Sequence, residues 1–214
     1  RTAIACGVDL LVTHEPTFWR HLDDFPEPVD QYALAKQREI REAGLTILRL
    51  HDSWDRFPGV GIPFAWAQYL GLPGAPVATG MAGYLHRYDV APTTAGAFAR
   101  QVAVRTAALG EPVIQFAGDP GAVVSRIGTG TGCACDPAAY QAMGCDLAVV
   151  CDDGTCSWGH LQRAADLGLP VIRVNHGTSE EPGMLTLAAH LRAAFPGLQV
   201  EHLPHPCCYA PMRA

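Results

Sequence analysis

An α/β fold is predicted for this chain of 214 residues. Two observations predict it. Apolar runs too short for helices alternate with longer amphipathic stretches, the pattern of strands and their covering helices. Three of those runs also end alike, with a histidine and a carboxylate close behind, and open α/β sheets hold ligands at strand carboxyl ends. With 49% hydrophobic and 17% charged residues, the composition is that of a compact globular protein.

The elements follow in order. Arg1 to Gly7 reads as the end of a helix whose beginning is absent, so amino-terminal sequence is expected to be missing. Asp9-Leu10-Leu11-Val12-Thr13 is a first strand, which delivers His14-Glu15 and stops at Pro16. Asp30 to Ala43 is an amphipathic helix closed by Gly44. Leu45 to Leu50 is a second strand, leading into His51-Asp52-Ser53-Trp54-Asp55. Phe64 to Leu70 is a short helix, and the Gly71 to Pro76 stretch breaks regular structure as a seam between lobes. Met81 to Val90 alternates like a strand, and Ala91-Pro92-Thr93-Thr94 caps a helix running to about Leu109. Val113 to Phe116 and Ala122 to Ile127 are strands, and Asp136-Pro137 opens a helix ending at Met143-Gly144. Asp146 to Val150 is a buried strand, Trp158 to Leu167 a helix ended by Gly168, and Leu169 to Val174 a strand leading into Asn175-His176. Glu180 to Phe195 is a helix, and Leu198 to Leu203 a last strand.

The three strand ends read together as one metal site assembled from distant parts. Each has a plainer reading. Buried histidines and loop acids are common, and Glu180 could simply be a first-turn acid facing a helix dipole. His176 stands four residues before Glu180, so both side chains fall on one helix face. With two further strand ends of the same kind, ligation is preferred.

Other motifs carry less. Gly128-Thr129-Gly130-Thr131-Gly132 fits neither the dinucleotide fingerprint nor the P-loop, so a tight strand-to-helix connection is favoured over a phosphate contact. His21 could line the mouth of a site, but a loop histidine is more often merely solvated. His86, His190 and His202 read as structural. His205 with Pro206-Cys207-Cys208 lacks the spacing of a deaminase zinc site. Cys151, Cys156 and His160 have tolerable zinc spacing but supply three ligands, so ordinary cysteines are favoured.

Composition excludes several function classes. Lys and Arg number 15 against 21 Asp and Glu, a net charge of −6 without a basic cluster, so nucleic acid is not an expected partner. No apolar run approaches 18 residues, so no membrane span is expected. The eight cysteines sit in a chain of long helices and apolar strands rather than a short loop-rich one. They read as small buried hydrophobes in a reducing compartment, and cytoplasm is the expected location.

These motifs resemble those of the NIF-three-like family of dinuclear-metal proteins, often described as GTP cyclohydrolase I type 2. Thr13-His14-Glu15-Pro16 is similar to its Thr-His-His-Pro, and His51 through Asp55 to its His-Thr-x-x-Asp. Asn175-His176-Gly177-Thr178-Ser179-Glu180-Glu181-Pro182-Gly183 resembles its third motif, and Arg126-Ile127-Gly128 through Val149 its middle. The likeness covers nearly the whole chain in the family's motif order. It implies two similar α/β lobes with mixed sheets and a metal site between them at strand carboxyl ends. Residues 1–75 and 125–214 would together form the metal-binding core, with 76–124 as an inserted or middle α/β segment.

Carried over residue by residue, the resemblance implies two divalent ions held by His14, Glu15, Asp55, His176 and Glu180; the family histidine that His51 matches is not as a rule a ligand, and His51 reads as supporting the ligands from behind. Glu15 departs from the family, which has histidine there. A carboxylate adds charge and hardness, moving preference from zinc toward manganese, iron or magnesium, or reducing the site to one ion. The family also implies a ring-shaped homo-oligomer, most readily a hexamer. Trp19, Phe25, Trp54, Phe57 and Trp66 crowd the loops around the first two motifs and would suit an interface, or would pack beneath the long loop from Glu15 to Asp30.

Function follows at the level of chemistry. A metal-dependent hydrolase of a small molecule, a nucleotide or another heterocycle, would use metal-activated water as its nucleophile. Nothing in the residues picks out GTP. A non-catalytic metal-binding or partner-binding protein, or a metal chaperone, is the alternative.

Overall fold

The computed structural model describes residues 1–212 and divides into two compact units, Arg1–Trp54 and Asp55 onward. The first unit contains α1 (Thr2–Ala5), β1 (Leu10–Thr13), α2 (Gln31–Glu42) and β2 (Thr46–Arg49). Asp30 caps α2, its side chain accepting the Tyr32 N–H at 2.7 Å. Gly44 follows at φ +63°, a conformation open to glycine, and the chain turns directly into β2. β2 lies parallel to β1, with Leu10 opposite Thr46 and Thr13 opposite Arg49. Parallel pairing puts both strand carboxyl ends on one edge, where His14 and His51 emerge.

The unit boundary falls inside the short helix α3 (Asp52–Asp55). The second unit then runs through α4 (Ile62–Tyr69), β3 (Ala78–Gly80), β4 (Leu85–Thr94), α5 (Ala95–Ala107), β5 (Gln115–Ala117) and β6 (Val123–Gly130). It continues with α6 (Pro137–Ala142), β7 (Leu147–Cys151), α7 (Trp158–Asp166), β8 (Val171–Val174) and α8 (His176–Ala194). Among the described residues its sheet has the order β3-β4-β6-β7-β8-β5. β6, β7 and β8 are mutually parallel, whereas β3, β4 and β5 add antiparallel partners. The sheet is therefore mixed, as expected, and the parallel centre aims three carboxyl ends at one edge. Every residue of β7 is buried, and Ile127, Leu147, Ile172, Tyr140 and Trp66 fill the core around it.

Close packing explains the glycines of β6. A Cβ on Gly128 would stand 2.4 Å from Tyr140 Cδ1, and one on Gly130 2.6 Å from Leu85 Cδ2. The Gly128–Gly132 segment thus brings α6 against the sheet. Gly183 does the same for helices, because its Cβ would lie 2.9 Å from the Ile62 Cα where α4 meets α8.

Several local expectations are corrected. The strand expected from Met81 begins at Leu85, because Met81 and Ala82 take positive φ in a 3-10 turn. It also runs on through Pro92, which sits at a register shift between Asp89 and Thr93 where no ladder hydrogen bond is lost. Thr94 still caps α5, accepting the Ala97 N–H at 3.2 Å. The last helix begins at His176 rather than Glu180, carrying Pro182 inside it. No strand forms over residues 198–203; Arg192 donates instead to the Val200 carbonyl, and His202 pairs with Glu181.

Candidate metal centre

Each unit carries its own set of metal-ligating side chains. In the first, His14 follows β1 and is buried. Its Nδ1 lies 3.1 Å from the Leu50 carbonyl oxygen, at the end of the neighbouring strand. A carbonyl oxygen only accepts, so Nδ1 carries the proton and Nε2 keeps the lone pair a cation requires. The His51 ring stacks on His14 with centroids 4.4 Å apart. Asp52 Oδ1 holds His51 Nδ1 at 2.6 Å, and Glu15 Oε1 stands 3.7 Å from His51 Nε2. Arg49 donates to the carbonyls of His14 and His21, at 3.1 and 2.6 Å, and so fixes the loop that leaves β1. His21 lies edge-on to His51 at 5.8 Å. The structure thus brings His14, Glu15 and His51 together, with His21 beside them.

In the second unit, His176 Nε2 lies 2.7 Å from Glu180 Oε1, one turn along α8, as their spacing predicts. The Glu180 carboxylate is only 6% exposed. A buried carboxylate is costly unless it is paired or coordinates a cation. Asp55, at the end of α3, is 3% exposed. The Cys133 thiol is pushed up by partial burial and then by the charge of Asp153, with smaller contributions from Cys151 and Asp55.

The start of α8 is held by residues that the sequence did not single out. Asp152, just beyond β7, accepts the His176 N–H at 2.8 Å and the Asn175 side-chain amide at 3.0 Å. Asp153 Oδ2 stands 3.8 Å from His176 Nδ1. Glu111 accepts the Asn175 N–H with both oxygens. Burial raises the Glu111 carboxyl, and hydrogen bonds from the Thr178 side chain and then the Asn175 N–H oppose that rise. A signal existed for Asp152 and Asp153, since they follow an apolar strand as His14 and His176 do. Glu111 offered none; its role depends on contacts made 64 residues away.

The remaining histidines keep to their plainer readings. His86 is buried against the Phe64 ring and Tyr88 Oη. His190 meets Phe57 at 5.0 Å. His202 Nε2 lies 3.0 Å from Glu181 Oε1, and the His205 N–H donates to the same oxygen. His160 closes a capping box with Ser157 at the start of α7. Among the aromatic residues, Trp54 and Trp66 are buried in the chain itself, while Trp19 is 59% exposed with Lys36 over its ring.

The donor chemistry fits a divalent cation: an imidazole with its tautomer set, and carboxylates withdrawn from water. Fold and donors together define an α/β protein carrying candidate metal ligands at strand carboxyl ends. The chain belongs to the Duf34/NIF3 (NGG1p interacting factor 3) family, whose model matches residues 1–207. The fold is that of protein ybgI, of unknown function, at 19% identity and TM-score 0.78, over 96% of this chain and 80% of that one. It is also that of the Bacillus cereus protein related to NIF3, at 13% identity and TM-score 0.73, over 99% and 85% of the two chains. A protein from Thermus thermophilus is 24% identical with TM-score 0.71, over 97% and 79%. No curated protein matches the chain. Among the described residues, no helix is long and apolar enough to cross a membrane.

Proposed function

We propose that this protein binds two divalent ions through His14, Glu15, Asp55, His176 and Glu180 and hydrolyses a small molecule, a nucleotide or related heterocycle. The observation that carries the reading is the His176–Glu180 pair, an imidazole and a buried carboxylate 2.7 Å apart on the first turn of α8. When bound, zinc, manganese, iron or magnesium would supply Lewis acidity and an activated water. The chain's own residues orient and hold. Leu50 fixes the His14 tautomer, Asp52 holds His51 against His14, and Asp152 and Glu111 anchor the end of α8 that presents His176. The family resemblance supports a homohexamer, and the cysteine content supports a cytoplasmic setting.

A non-catalytic metal- or partner-binding role is the second reading, favoured by the interacting factor after which the family is named. Elemental analysis of loaded protein, followed by turnover on nucleotides and phosphoesters, separates the two. Two equivalents of metal with metal-dependent turnover support the hydrolase. Two equivalents without turnover support the binding protein. His176→Ala should remain folded while losing metal; retained metal would remove the third motif from the site.

A further inference from the structure

Cys151 ends β7 and His176 begins α8 just past β8, the parallel neighbour of β7 in the sheet, where Cys151 is registered with Val174. That pairing places a thiol, a carboxylate and an imidazole at one edge. Ligand atoms of Cys151, Asp152 and His176 all lie within 4.8 Å of one another. The resemblance assigns neither Cys151 nor Asp152 to the metal. We propose that Cys151 supplies a sulfur ligand, with Asp152 and His176, to a divalent ion of borderline softness.

Three features of the second unit place the thiol for this role. Cys151 is fully buried, and its Sγ lies 3.4 Å from the Gly132 carbonyl, which fixes its position beside the strand end. Gly132, at φ +64°, stands beside the imidazole, where a Cβ would lie in ordinary contact 3.8 Å from His176 Nε2. Asp152 already receives the His176 N–H, and its carboxylate retains lone pairs for a cation. On binding, the Sγ–metal bond forms as the thiol proton leaves to solvent. Sulfur selects for zinc, iron and cobalt over magnesium and calcium.

This inference rests on His176 being a ligand, as proposed above, and its failure is separately visible. The test uses wild-type protein loaded with zinc or cobalt(II), with metal content measured alongside. X-ray absorption at the zinc edge should show a sulfur scatterer at about 2.3 Å. The cobalt form should show an intense near-ultraviolet thiolate-to-metal band. Cys151→Ser should abolish both signals and lower the zinc-to-manganese affinity ratio by about tenfold or more, while Cys133→Ser should leave both. Metal present in wild type with only nitrogen and oxygen around it overturns the sulfur ligand and leaves the metal-site reading standing. Sulfur signals that survive Cys151→Ser and vanish in Cys133→Ser overturn the assignment to Cys151. Protein that takes up no ion overturns both readings.

Discussion

The Glu111 carboxylate receives the Asn175 N–H with both oxygens, at 2.9 and 3.1 Å, and so ties the entry of α8 to a loop before β5. The Asn175 N–H is buried, so leaving it without an acceptor is costly. Glu111→Ala should lower stability by about 2–4 kcal/mol, the penalty of leaving the buried Asn175 N–H without its acceptor. Glu111→Gln keeps an acceptor and should cost less. Urea unfolding checks both; a change below about 0.5 kcal/mol in the alanine variant would show that α8 is held by other contacts.

Chelation should destabilise the loaded protein. A ligand that binds only the folded state at 100 times its Kd contributes about 2.7 kcal/mol. The midpoint of thermal unfolding should therefore fall on adding EDTA and recover with zinc or manganese. An unchanged midpoint would mean that the ions do not bind the folded chain.

Glu15→His should raise the affinity for zinc relative to manganese, because imidazole suits zinc and carboxylate suits manganese. Competition titrations on wild type and variant measure this. No shift in the ratio would place Glu15 outside the ligand set.

His86 should make stability pH-dependent in a defined window. Burial lowers its pKa from 6.5 to about 4, so the folded state resists protonation. Between those values the unfolded chain binds more protons, and stability rises with pH. The benefit is fully present above about pH 6.5 and is lost as pH falls toward 4, amounting to roughly 3 kcal/mol. His86→Phe removes the titrating group, and its unfolding free energy should lose that share of the pH dependence.

Gly128→Ala should be among the most damaging small changes in the sheet. The added methyl would sit 2.4 Å from Tyr140 Cδ1 and 2.9 Å from Cys145 Sγ, and both neighbours are buried. Overpacking of this kind costs about 1–3 kcal/mol or more. Tyr140→Leu in the same chain should recover part of the loss, which a double-mutant cycle would measure. Simple additivity would show that the clash lies elsewhere.

Much of the fold could be read directly from local pattern. Gly44 and Gly168 close helices within a residue of expectation, Thr94 and Asp136 open them, and β1, β2, β7 and β8 fall where short apolar runs predicted. These are decisions of neighbouring residues: a glycine at positive φ, a side-chain oxygen capping a free N–H, an apolar run too short for a helix. The His176–Glu180 pair was equally readable, because helical spacing alone brings residues four apart together.

Other features needed partners distant in sequence. Proline is favoured in a helix's first turn and costly further in, yet α8 carries Pro182 in its second turn. Asp152 and Glu111, meeting the amide groups of His176 and Asn175, let α8 begin four residues before the expected Glu180. Residues 198–203 alternate as a strand would, yet alternation only offers an edge, and Glu181 engages His202 and His205 instead. Cys151 and Asp152 reach His176 because β7 lies parallel to β8 in one particular register. Periodicity along the chain determines which segments can be helix or strand and which residues stand at their ends. Strand order and register determine which of those ends meet, because backbone pairing joins residues that no local pattern relates.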